Sequence, residues 1–354
     1  MKHRVLAFLF CLIAGQAAAQ GFAGLGTTAA TGFATPQSPA RFAFPTDHGP
    51  HPDFRIEWWY LTASLTGPDG TAYGAQWTLF RSALSPDDAQ GWQATQLWMG
   101  HAGLTTPTTH ASAERLARGG IGQAGVTAQP FAAWIDDWSM TSRVTGNADM
   151  LDRLQVTARG DSFAYDLSLT ATGPLIFHGQ SGYSVKSAQG QASYYYSQPF
   201  YRLTGTITLN GADIPVTGTA WLDREWSSQP LSDTQDGWDW VSLQFDDGSR
   251  LMGFSLRDRA AAPFTAATWI TPDGQSQSFR DGALRMTPLT HSRVAGREIP
   301  TRWRIELPDR GLDITASAIN PQSWMDVSIP YWEGPLQLTG THHGRGYLEM
   351  TGYR

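Results

Sequence analysis

From Arg55 onward the chain reads in short strand-like runs. Arg55 to Thr66 and Thr71 to Ser82 are rich in aromatic and other bulky residues, and Gly67-Pro68-Asp69-Gly70 stands between them. Two such runs around a Pro-Asp-Gly turn predict an antiparallel hairpin. Comparable runs recur at Gln96 to Leu104, Phe131 to Thr141, Leu154 to Arg159, Phe163 to Thr170 and around Tyr183. Long stretches with apolar residues at helical spacing are absent. Ser112 to Arg118 is the one segment that predicts a helix, with Ser112 as its N-cap. The expected fold class is therefore all-β.

The hairpin pattern occurs twice. Trp58-Trp59-Tyr60 opens a run, Asp69-Gly70 turns it, and the return run ends in Leu79-Phe80-Arg81. Trp238-Asp239-Trp240, Asp247-Gly248 and Ser255-Leu256-Arg257 repeat that order. A duplicated unit accounts for 354 residues, more than one small domain holds. It predicts two tandem antiparallel barrels, residues 42–229 and 230–354, with the junction within Ser227 to Gln235. A closed barrel removes exposed sheet edges and can enclose a ligand.

The N-terminal segment has a different pattern. Lys2, His3 and Arg4 precede an apolar run from Val5 to Gly15, and Ala17, Ala18 and Ala19 follow. This order predicts a secretory signal peptide over residues 1–19, cleaved near Ala19. The apolar run is too short for a stable membrane anchor. Periplasmic or secreted localisation is the expectation. The single cysteine, Cys11, would leave with the signal, so the mature chain would form no disulfide. Residues 20–41 are rich in Gly, Ala and Thr and are expected to be a flexible leader.

Composition narrows the partners. Charged residues are 16%, and the net charge of -6 has no basic block, so nucleic acid is not an expected partner. Fifteen Trp and 12% aromatic residues exceed ordinary packing needs and point to an aromatic cavity for a hydrophobic small molecule. No Gly-x-Ser-x-Gly elbow, phosphate-binding glycine loop or zinc-protease motif is present. The expected chemistry needs no cofactor and no metal.

Two constellations carry candidate chemistry. The first is Asp47-His48-Gly49-Pro50-His51 followed by Glu57. The Gly-Pro turn argues against a converging histidine pair, so His48 and His51 are read as orienting residues. Glu57, among aromatics, needs a partner if buried, and Arg81 at the end of the paired run is the natural one; a catalytic role for Glu57 is the competing reading. The second is Tyr194-Tyr195-Tyr196-Ser197 with Trp221-Leu222-Asp223-Arg224-Glu225-Trp226. In a strand, Trp221, Asp223 and Glu225 share one face, and Leu222, Arg224 and Trp226 share the other. A carboxyl held beside tryptophan in an apolar cavity is pushed toward its protonated form and can donate a proton.

These residues resemble a known family. The run Phe44-Pro45, Asp47-His48-Gly49, His51, Glu57-Trp58-Trp59-Tyr60, Gly74, Gln76, Thr78 and Phe80-Arg81 is similar to the AttH-like and carotenoid 1,2-hydratase family. So is Gly218, Ala220-Trp221, Asp223, Glu225-Trp226 followed by Gly237 to Trp240. The resemblance implies two lipocalin-like barrels and an exported enzyme of the hydratase or hydrolase kind, some members hydrating carbon–carbon double bonds and others being labelled secreted hydrolases. It implies Asp223 as the general acid and Trp221 beside it. It places Tyr194 and Tyr196 at an upstream cavity pair where a carotenoid hydratase would carry His and Trp, so it does not carry the substrate over. The expected cavity residues are Tyr194, Tyr196, Trp221, Trp59, Gln76 and Trp240, with Glu57 a second catalytic candidate and His48, His51, Arg81 and Glu225 orienting. Two other readings remain: a non-enzymatic envelope carrier that delivers a hydrophobic ligand to a membrane transporter, and an interaction module with a solid interior.

Overall fold

A computed structural model describes residues 31–86 and 89–353. The expected signal peptide and Cys11 lie outside the described residues. Among the described residues the regular secondary structure is almost wholly strand, in two antiparallel sheets of thirteen and ten strands. Each curls into a near-closed barrel of the lipocalin-like kind. The last strand of the first sheet, Ala212–Ser227, and the first of the second, Gln235–Phe245, are joined by residues 228–234.

Both aromatic-led hairpins are present: Ile56–Thr66 with Ala72–Ala83, and Gln235–Phe245 with Arg250–Asp258. They hold corresponding places. In each sheet the leading strand of the hairpin also pairs with the closing strand of its own barrel, Ala212–Ser227 in the first and Gly344–Met350 in the second. Gly70 turns the first hairpin at φ +82° and Gly248 the second at φ +88°, a region that glycine enters without steric penalty.

Ser112 to Arg118 is not a helix. It lies in the strand His110–Arg118, paired along its length with Gln96–Thr105. Ala, Glu, Leu and Arg are good helix formers, but propensity amounts to tenths of a kcal/mol per residue, on the order of 0–0.7, and pairing with a neighbouring strand overrides it. The end of the expected leader is also held in place. Ala34 donates to the Asp53 carbonyl, and the Gln37 backbone N–H donates to the Tyr194 hydroxyl at 2.9 Å.

Strand alternation sends each sheet's residues to two different apolar regions. In the first hairpin, Trp59, Leu61, Trp77 and Leu79 fill the first barrel. Val241, Leu243, Leu336 and Leu348 fill the second. Each such side chain contributes about 1.5–3 kcal/mol by leaving water. The opposite faces of the hairpin strands meet between the barrels, where Tyr60, Tyr195, Trp221, Trp240, Met252 and Phe254 form a third cluster. Close approach is tight: a Cβ on Gly74 would lie 2.6 Å from the Pro335 ring. The aromatic cavity expected inside a barrel is in this seam.

Candidate active site between the barrels

The seam opens into a cleft of about 630 Å³, including its mouth. Its aromatic wall is Trp58, Tyr60, Tyr195, Trp238, Trp240 and Phe254, and its polar residues are Asp223, Glu225, Lys186 and Glu349. Strand register places the first-barrel residues in rows. Trp58, Glu225 and Tyr195 are cross-strand partners, and Tyr60, Asp223 and Ser197 form the next row. Trp221 stands two residues before Asp223 on the same face.

Asp223 is buried and receives three hydrogen bonds. Trp221 Nε1 donates to Oδ1 at 2.6 Å, Tyr195 Oη donates to Oδ2 at 2.8 Å, and Ser197 Oγ donates to Oδ1. No lysine, arginine or histidine among the described residues pairs with it. Burial pushes its pKa up to about 7, the three donors offset part of that rise, and the neighbouring Glu225 adds to it. An aspartate in this state exchanges a proton near neutrality.

The donors are themselves fixed. Trp240 Nε1 donates to Tyr195 Oη at 3.0 Å, so the second barrel reaches the first barrel's acid through one hydroxyl. Behind Ser197, His178 Nε2 lies 2.6 Å from Oγ and His178 Nδ1 lies 3.0 Å from Thr268 Oγ1. Burial and the Lys186 charge depress His178 to about 3, so it is neutral. Glu225, unlike Asp223, has a cation beside it: Lys186 Nζ lies 2.8 Å from its carboxylate and 4.3 Å from the Phe254 ring centre.

The other strand face carries the first constellation. Glu57 is fully buried, 3.0 Å from Arg81 Nε, 2.7 Å from Arg224 and 2.6 Å from His51 Nδ1. Burial alone would raise its pKa, and His51, Arg224 and Arg81 outweigh burial, leaving it well below the usual carboxylate range. The Glu57–Arg81 pair is present and is enlarged by Arg224, and Glu57 lies on the strand face opposite Asp223. Arg224 stacks 3.9 Å from the Trp59 ring centre, and His51 stacks on Trp226 at 3.8 Å. His48 bonds Tyr196 and Asp149. The two histidines take separate partners.

Of the expected cavity residues, Trp240 lines the cleft and Trp221 backs it. Trp59 points into the first barrel and donates to the His48 carbonyl at 2.9 Å. Tyr194 and Tyr196 also face away, packed with Phe42 and Trp226. Gln76 is at the barrel seam, 3.5 Å from Tyr331 Oη, and does not line the cleft. The cleft uses Tyr195 and Ser197, on the alternate face. The pattern of one strand was legible, but its pairing with Ala212–Ser227 was needed to say which of four consecutive residues meets Asp223. Lys186, Glu349 and His178 come from distant segments, and no local signal marks them.

Two lipocalin-like barrels with a carboxyl-bearing aromatic cleft between them define the class of protein. The chain matches the family model described as AttH-like over residues 35–353. It belongs to the AttH-like family. The crystal structure of an AttH candidate from Nitrosomonas europaea is 33% identical, with a TM-score of 0.80, covering 91% of this chain and 100% of that one. Kievitone hydratase from Nectria haematococca shares the fold at 15% identity and a TM-score of 0.67, over 91% of this chain and 96% of that one. CghA, solved with Sch210972, does so at 16% identity and a TM-score of 0.57, over 92% and 97%. The chain has no match among the curated proteins.

Proposed function

We propose that this protein is a cofactor-independent hydratase-like enzyme acting on an apolar small molecule, with Asp223 as general acid. The observation that supports this most is a buried carboxyl without a cation partner, poised near neutrality, on the wall of an aromatic cleft. Protonating an alkene needs a neutral carboxyl close to an apolar substrate. The carbocation that results is stabilised by ring faces, and Trp58, Tyr60, Trp238 and Trp240 supply them. The shared fold of kievitone hydratase is consistent with that chemistry. Export to the periplasm or beyond belongs to the same proposal, supported by the order of basic, apolar and small residues over 1–19.

The test is turnover of a panel of isoprenoid and phenolic alkenes by the mature chain in ¹⁸O-labelled water, read by mass spectrometry. The expected result is one labelled oxygen in the product and its loss in Asp223→Asn. Equal turnover by Asp223→Asn would sink the mechanism.

A second reading rests on a separate observation. A wider hollow, about 1520 Å³ with its open mouth, shares Trp58, Phe80, Pro230 and Trp238 with the cleft. It continues to the exposed Leu84, Leu97 and Leu116. In this reading the protein carries a lipid or similar ligand to a membrane transporter. Native mass spectrometry of protein taken from its own envelope separates the two: a carrier retains its lipid in Asp223→Asn and turns nothing over.

A further inference from the structure

The second barrel brings two more carboxyls to the seam. Glu333 in Tyr331–Gly340 and Glu349 in Gly344–Met350 are direct cross-strand partners, and Trp240 is the partner of Glu349 on the other side. Directly opposed side chains in such a ladder lie about 4.5–5.5 Å apart at Cβ, where like charges repel. Glu333 is buried, and Glu349 is partly buried on the cleft wall. Tyr60 of the first barrel lies between them: its hydroxyl donates to Glu333 Oε1 at 2.6 Å, and it is also hydrogen-bonded to Glu349. Trp238 Nε1 donates to Glu349 at 2.5 Å. Glu333 Oε2 has no hydrogen-bond partner and no exposure.

The surroundings supply no neutralising charge. Tyr331 and Tyr347 flank Glu333 on its own sheet, and Asp223 and Glu225 face Glu349 from the other. The Lys186 ammonium is engaged by Glu225. Among the described residues no basic group pairs with either glutamate. A buried carboxyl with an unpartnered oxygen and no cation is stable only when protonated. Two carboxyls directly opposed across the ladder and joined by one hydroxyl do not both ionise.

We propose that Glu333 and Glu349, bridged by the Tyr60 hydroxyl, share one carboxyl proton and form a second proton-exchanging group of the cleft, with Glu349 as the base opposite Asp223. This assignment of the base rests on the hydratase reading above. In the addition step the Asp223 O–H bond breaks, and its proton forms a C–H bond with one alkene carbon as the π bond is lost. Water then forms the C–O bond to the cationic carbon and gives its proton to the Glu349 carboxylate. Substrate plus water becomes alcohol. The proton gained by Glu349 and that lost by Asp223 are exchanged through water at the cleft mouth, which resets both groups. Burial and the neighbouring carboxylates raise Glu349 to about 7 and raise Glu333 well above its ordinary value, and the unpartnered Glu333 Oε2 marks Glu333 as the one that keeps its proton.

Infrared spectroscopy of the whole mature chain tests the pair without any substrate. The expected result at pH 8 is a protonated-carboxyl band that survives in Asp223→Asn, disappears in Glu333→Gln and shifts in Tyr60→Phe. No such band in the wild type, or one indifferent to both Glu333→Gln and Glu349→Gln, overturns the pair. For an alkene that the wild type hydrates, Glu349→Gln is expected to lower kcat by about 100-fold or more with KM little changed. An unchanged kcat removes Glu349 as the base. If no alkene on the panel is hydrated, the hydratase reading fails while the infrared result still decides the pair.

Discussion

Glu57 and Asp223 are buried carboxylates on adjacent paired strands, and their environments drive them to opposite protonation states. Glu57 faces the interior of the first barrel, where Arg81, Arg224 and His51 surround it. Asp223 faces the seam, where it meets three neutral donors and no cation. Both pay the same kind of desolvation, so the difference lies in the charge of the neighbours. The first carboxylate ties three segments together and stays ionised. The second keeps a proton available near neutrality, at the expense of stability. Retaining an unpaired buried acid is unfavourable for folding alone, and such groups concentrate where chemistry is done.

This contrast can be broken in graded ways. The largest expected effect is on turnover: Asp223→Asn should lower kcat by about 10²–10⁴-fold, as expected for removal of a positioned general acid. It should leave the chain folded, and parallel kinetic and urea measurements check both. Glu57→Ala should do the reverse. Removing the anion strands Arg81 and Arg224, at a cost of about 3–5 kcal/mol in urea unfolding.

The pH dependences of the two groups have opposite signs. Glu57 has a depressed pKa, so its contribution is complete above the ordinary value of 4.5 and is lost as pH falls toward its folded value. Asp223 is raised from 3.8 to about 7, so its contribution is complete below the ordinary value and is lost as pH rises through 7. Unfolding free energies at pH 5 and pH 8 should therefore show Asp223→Asn relatively more stable at pH 8, by about 1–3 kcal/mol. A pH-independent difference between the two chains would contradict the raised acid.

The smallest change sharpens the comparison. Tyr195→Phe removes one donor to Asp223 and the link to Trp240, for about 1 kcal/mol of stability. With one donor fewer, the alkaline limb of the pH–rate profile, which Asp223 sets as general acid, should move upward. No movement would mean that the Tyr195 hydroxyl does not tune the acid.

Much of this was written locally. The all-β class, the two aromatic-led hairpins and the division of Trp221, Asp223 and Glu225 from Arg224 follow from residue type and from the period of two in a strand. The Glu57–Arg81 pair could be read from two runs and the turn between them, because a hairpin fixes its own register. The Ser112 to Arg118 strand was lost to the same local logic, since helix preference is visible in sequence and a distant pairing partner is not.

What the tertiary structure alone decided is where two outward faces meet. Tyr60 and Asp223 belong to one barrel, Trp240, Glu333 and Glu349 to the other, and no sequence spacing relates them. Whether an outward face meets water or another sheet determines if its carboxyls stay solvated or are pushed toward protonation. Sequence therefore named Asp223 and its neighbours. Pairing with Ala212–Ser227 set the choice of Tyr195 and Ser197 over Tyr194 and Tyr196, and the docking of the barrels, with Gly74 against Pro335 as one point of closest approach, set the cleft and its second pair of acids.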